Sequence, residues 1–181
     1  MGRAYLLTGR PGVGKTTCLK KVLELLRVPA GGFFTEEIRE AGARLGFTLS
    51  TLDDRRATLA HVDRAGGPRV GKYGVNLDAL DRVGVPAIRD AVRKGHLVVI
   101  DEIGKMEAAA PAFRQAVEEA LQSSAVVLGT VLMVSHPWAD RIKAHPAVRL
   151  IEVTSANREE LARHLAGLLA SPPGQTSADA I

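Results

Sequence analysis

Gly9-Arg10-Pro11-Gly12-Val13-Gly14-Lys15-Thr16-Thr17 is the stretch on which the reading of the fold turns. It matches G-x4-G-K-S/T, a loop whose glycines let consecutive backbone amides curl around a polyphosphate. Just before it, Ala4 to Thr8 is an apolar run of strand length. Just after it, Leu19, Val22, Leu23 and Leu26 share one face of a helix expected from Lys15 to about Arg27. Strand, glycine-rich turn and helix in that order are the setting in which such a loop works, because the helix adds its positive dipole end to the amides. Lys15 is then placed to reach the β- and γ-phosphates, and the Thr16 hydroxyl to ligate magnesium. Gly9, Arg10, Pro11, Gly12, Val13, Gly14, Lys15, Thr16 and Thr17 are the candidate nucleotide-binding residues.

The rest of the chain alternates apolar runs with segments of helical period, which argues for an α/β fold around a mostly parallel sheet. Phe33–Ile38, Arg44–Leu52 and Arg56–Val62 read instead as short alternating strands broken at Ala41-Gly42 and Asp53-Asp54. They suggest an antiparallel meander over 32–62, inserted beside the main sheet. Residues 64–75 read as a Gly/Pro/Arg-rich connection, followed by a helix from about Asp78 to Lys94. Helices are expected again over Pro111–Gln122 and Asn157–Ala170, and strands over Leu97–Asp101, Ala125–Val131 and Val148–Val153. One domain over 1–170 with a disordered tail, 171–181, accounts for the length.

Leu97-Val98-Val99-Ile100-Asp101-Glu102 is an apolar strand that ends in two carboxylates. In a parallel α/β sheet that end lies on the ligand-binding edge. Asp101 is placed there to hold magnesium, and Glu102, pointing to the other face, to polarise the water that attacks a γ-phosphate. Three residues further, Lys105 could neutralise charge building on that phosphate; a surface pairing with Glu107 is the plainer alternative.

Asp101-Glu102-Ile103-Gly104-Lys105-Met106-Glu107 resembles the signature of the nucleoside-triphosphatase family that includes the human cancer-related enzyme and small bacterial and archaeal relatives. Gly32-Phe33-Phe34-Thr35-Glu36-Glu37-Ile38-Arg39 and Val70-Gly71-Lys72-Tyr73-Gly74-Val75-Asn76 agree in order, as do Thr154 and Asn157-Arg158, so that the likeness covers about residues 4–168. The resemblance implies a RecA-like P-loop three-layer sandwich. It implies magnesium-dependent hydrolysis of nucleoside triphosphates to diphosphate and phosphate, with loose preference among ATP, GTP, CTP, UTP and TTP. Leu132-Met133-Val134-Ser135-His136-Pro137-Trp138 departs from the family's pattern.

Other candidates have plain structural readings beside them. Glu37 and Arg39 fall on one face of their strand and Glu36 on the other, as cleft residues or as a solvated edge. Asn157 with Glu160 fits a helix N-cap, and Arg158 at the same loop could stack on a nucleotide base. Tyr73 is open between core packing and a base contact. Cys18 reads as a small buried residue, and its solitude excludes a disulfide framework. His61, His96, His136, His145 and His164 have no ligand spacing.

Composition limits the alternatives. A net charge of +4 with 4% aromatics gives no basic stripe interleaved with stacking residues, so nucleic acid is not indicated. The apolar stretch Ala125 to Val134 is half the length of a membrane span, and Ala4 to Leu7 is too short for the apolar core of a signal peptide. A cytoplasmic setting is the expectation. A small nucleoside or nucleotide kinase and a nucleotide-switched binding module remain as rival classes. Against the kinase, no segment reads as an acceptor pocket, and Arg55–Arg69 is the one candidate for an arginine-bearing lid.

Overall fold

The strand ahead of the glycine-rich loop forms as expected: β1 (Arg3–Thr8) leads through the loop into α1 (Lys15–Leu26). The computed structural model describes residues 3–170; the expected disordered tail, 171–181, lies outside them. The chain continues with β2 (Ala30–Glu40), β3 (Ala43–Thr51), β4 (Arg56–His61), β5 (Arg69–Val70), β6 (Tyr73–Val75), α2 (Leu77–Ala79) and α3 (Val85–Arg93). Then come β7 (Leu97–Ile103), α4 (Pro111–Gln122), β8 (Val126–Val131), α5 (Pro137–Lys143), β9 (Val148–Glu152) and α6 (Arg158–Ala170). The strands form one sheet in the order β5-β6-β4-β3-β2-β7-β8-β1-β9.

From β2 to β9 the neighbours pair in parallel, with β8 between the loop-bearing β1 and the acidic-ended β7. Parallel strands need both faces covered, which is why the central runs, Ala4–Leu7, Leu97–Ile100 and Val126–Gly129, are apolar throughout, while β9 at the edge carries Arg149 and Glu152. Leu6 and Leu7, adjacent in β1, go to opposite sides. Leu6 joins Phe33, Ile100 and Phe113 under α3, α4 and α5. Leu7 joins Leu19, Val22 and Leu165 under α1 and α6. Each such buried side chain contributes about 1.5–3 kcal/mol. The result is the helix–sheet–helix sandwich expected from the sequence.

Four features differ from the sequence reading. The meander does not lie beside the main sheet but is part of it: β2 pairs in parallel with β7 over Ala30–Phe33 and antiparallel with β3 from Phe33 onward. Alternation along a strand reports its faces, not its partners, so this change of partner left no trace in the pattern. The connection at 64–75 carries β5 and β6, which extend the antiparallel part to the sheet's edge. And α5 was not expected at all: Pro137 opens it, and the His136 side chain caps it by accepting from the Ala139 N–H. Trp138 is buried against Phe113 and donates to Glu118 Oε1 at 3.1 Å. The helix expected over 78–94 forms as α2 and α3 joined by a π-helical turn, Leu80–Gly84, in which the Val85 N–H reaches back to Leu80 O immediately before Pro86.

Candidate active site

The glycine-rich loop needs backbone shapes that only glycine adopts freely. Gly9, Gly12 and Gly14 have φ of +148°, +78° and +103°, and a Cβ at Gly9 would stand 2.6 Å from Val153 O. The loop therefore lies tight against the end of β9, and α1 begins at Lys15 with its free amides facing the loop. Lys15 Nζ donates to Gly9 O at 3.1 Å, so its side chain curls over the loop. Arg10, Pro11 and Gly12 are exposed at the tip.

At the end of β7, Asp101 is buried and tied by two hydroxyls. Thr16 Oγ1 donates to Oδ2 at 2.8 Å, and Thr130 Oγ1, from the neighbouring β8, donates to Oδ1 at 2.5 Å. Thr35 Oγ1, from β2, donates to the Asp101 carbonyl at 2.5 Å. The sequence brought Thr16 and Asp101 forward, 85 residues apart, and the structure joins them. It did not bring forward Thr35 or Thr130, because a lone threonine in a strand carries no signal of its own. Burial pushes the Asp101 carboxyl up, against the lowering pull of the two hydroxyls and Lys15. A buried carboxylate so disfavoured, beside a hydroxyl at a helix start, is a set of hard oxygen donors that fits a magnesium ion. Among the described residues no group of three or more His, Cys, Asp or Glu is placed to hold a metal ion.

Glu102 and Lys15 both line a cleft of about 270 Å³. Burial raises its carboxyl, Lys15 lowers it and Asp101 raises it further. The same cleft is lined by Thr35 and Lys105, so the three residues read as catalytic, Lys15, Glu102 and Lys105, face one space. Lys105 is exposed, and among the described residues it has no carboxylate partner. The pairing with Glu107 is absent because Glu107 is buried beneath the turn. There it is pushed up to about 8 by burial, while its own N–H and that of Gly104 donate to its carboxyl. A carboxyl held mostly neutral under the Gly104-Lys105 turn was invisible in the sequence, where Glu107 reads as a surface charge.

On the other flank of the loop, Arg158 Nη1 lies 3.5 Å from Val13 O, exposed and outside the cleft. Asn157 does not cap α6 with its side chain. It accepts from the Thr154 N–H at 2.8 Å and donates to Glu152 O at 2.9 Å, so it braces the turn from β9 that carries Arg158. Glu36, Glu37 and Arg39 do not reach the cleft. Glu36 pairs with Lys20 at 2.8 Å, and Glu37 with Arg39 and Arg44 at 2.6 and 2.7 Å, on the solvated surface. Tyr73 is core: it is buried edge-on to Phe47 and accepts from Arg44 Nε at 2.9 Å. No residue of 55–69 is among those that line the cleft. Cys18 is buried, and burial raises its thiol. No helix of the described residues is long and apolar enough to cross a membrane.

With this geometry in hand, the comparisons agree with one another. Residues 4–166 match the model of a family described as NTPase. The nucleoside-triphosphatase THEP1 of Thermotoga petrophila is 44% identical over 172 residues, which cover 95% of this chain and 96% of that protein. The cancer-related nucleoside-triphosphatase homolog of Bos taurus is 38% identical, over 89% of this chain and 93% of its own. Among solved structures, the crystal structure of THEP1 from Aquifex aeolicus superposes with a TM-score of 0.85 at 32% identity, covering 93% of this chain and 99% of that one.

Proposed function

The chain belongs to the nucleoside-triphosphatase family, and from that premise we propose that it hydrolyses nucleoside triphosphates to the diphosphate and free phosphate. The observation that carries this reading is that Lys15, Glu102 and Lys105 line one cleft at the head of the phosphate loop. A triphosphate laid on the amides of Gly9 through Thr17 presents its terminal phosphoryl to that cleft. Glu102 takes a proton from the attacking water, work worth about 10²–10⁴ in rate. Lys15 and Lys105 draw off the negative charge that gathers on the phosphoryl oxygens. Thr16 and Asp101 would hold magnesium, which when bound neutralises charge between the β- and γ-phosphates.

Arg158 lies beyond the opposite flank of the loop, where its guanidinium plane can stack on any base. Stacking alone discriminates weakly, which supports loose preference among ATP, GTP, CTP, UTP and TTP. A cytoplasmic setting, where these nucleotides abound, completes the reading. The test is product analysis of purified protein with each triphosphate, with magnesium and then with a chelator. The expected result is equal diphosphate and phosphate from several triphosphates, lost with the metal. Tight nucleotide binding without phosphate release would contradict it.

A further inference from the structure

The cleft beyond Lys15 is larger and more apolar than hydrolysis requires. Apart from Lys15, Thr35, Glu102, Lys105 and the loop, its walls are chiefly Phe47, Val70, Met106, Leu132, Met133 and Val134. Its volume of about 270 Å³ has to hold the terminal phosphoryl at the Lys15 end as well as a lytic water of about 30 Å³, and it stands close to the roughly 300 Å³ at which small-molecule sites begin. A lytic water gains nothing from six apolar walls. Nor does the base occupy them, since Arg158 sits over Val13 and Gly14, outside the cleft. Met133 and Val134 are 45% and 54% exposed at its mouth. They belong to the stretch 132–138, which the sequence reading set apart from the rest of the family resemblance.

We infer that the cleft is a phosphoryl-acceptor pocket for a small molecule with an apolar body and a hydroxyl group. This rests on the reading that the γ-phosphoryl sits at the Lys15 end. The apolar body lies between Phe47, Val70 and Met133, and its hydroxyl points to Glu102, in the place of the lytic water. The hydroxyl oxygen bonds to the γ-phosphorus as the bond from that phosphorus to the bridging oxygen breaks. The electron pair of that bond leaves on the β-phosphate, and the hydroxyl proton passes to the Glu102 carboxylate. The products are a phosphate monoester and a nucleoside diphosphate, with no other reactant needed. The lack of an acceptor pocket weighed against transfer in the sequence, because its walls come from separated segments: Phe47, Val70 and Met133.

The experiment incubates the protein with ATP labelled in its γ-phosphate, magnesium and either benzyl alcohol or ethanol, and separates labelled alkyl phosphate from free phosphate. At equal alcohol concentration, benzyl phosphate exceeds ethyl phosphate roughly tenfold or more, because an apolar pocket rewards the larger body. In the variant carrying Met133→Ser and Val134→Ser, the ratio of benzyl phosphate to free phosphate falls by roughly the same factor. That ratio is internal to each sample, so a loss of folded protein does not mimic it. Free phosphate with no alkyl phosphate overturns the pocket and leaves hydrolysis standing. Equal yields from the two alcohols overturn it too. Benzyl phosphate with negligible free phosphate supports the pocket and overturns hydrolysis as the main reaction, and no diphosphate under any condition overturns both.

Discussion

At the end of the parallel strand β7, Asp101, Glu102 and Glu107 are buried or half-buried, and burial pushes all three carboxyls up. On the antiparallel stretch of β2 the acids behave in the opposite way: Glu36, hydrogen-bonded to Lys20, and Glu37, hydrogen-bonded to Arg44 and Arg39, are held below the usual range. The two groups share one sheet and differ in what surrounds them. Exposed ion pairs such as those of Glu36 and Glu37 are worth about 0–1 kcal/mol each and keep the edge solvated. Buried acids beside a phosphate loop are costly for folding, and it is at functional sites that such displaced carboxyls cluster. The direction in which a carboxyl is displaced thus separates the working half of the sheet from its scaffold.

That contrast can be broken in order of expected effect. Lys105→Ala should lower turnover tenfold or more, in line with the roughly 10²–10³ lost when a single transition-state donor is removed. Diphosphate affinity should stay near that of the wild type, read by steady-state kinetics beside calorimetric titration with ADP. An unchanged turnover would take Lys105 out of the working half. Arg158→Ala should raise the Michaelis constant for every triphosphate by roughly two- to fivefold, the worth of an exposed cation–π contact. No change would leave Arg158 with its contact to the Val13 carbonyl alone.

The effect of Glu107 is on stability. Its carboxyl keeps its proton to about pH 8 in the folded chain against 4.5 as its ordinary value. The folded state therefore binds the extra proton, so the stabilisation is complete below about pH 4.5 and is lost as pH rises toward 8. This group alone lowers stability by at most about 1.4 kcal/mol per pH unit over that window. Glu107→Gln, whose amide oxygen can still accept from Gly104, should flatten the fall in Tm between about pH 4.5 and 8. A fall as steep as that of the wild type would place the titration elsewhere.

How far the sequence led follows the same division. The phosphate loop and the end of β7 were legible because their chemistry constrains consecutive residues: three glycines, a lysine and a threonine in one stretch, two carboxylates in the other. The parallel strands were legible because burial on both faces leaves unbroken apolar runs. What was not legible depends on residues distant in the chain. β2 exchanges a parallel neighbour for an antiparallel one within a single strand. Thr35 and Thr130 acquire meaning only where they meet Asp101. Glu107 looks like a surface charge until Gly104 closes over it. The cleft assembles Phe47, Val70 and Met133 from three separated segments, and α5 hides in seven residues too short to show a period.

The most direct test of the account compares one acid from each half in the same assay: phosphate release from ATP with magnesium, for Glu102→Gln and Glu36→Gln beside the wild type. The account predicts a loss of about 10²–10⁴ for Glu102→Gln, the usual worth of a general base, and a change within twofold for Glu36→Gln. Equal losses in the two variants, or a Glu102→Gln protein as fast as the wild type, would contradict it.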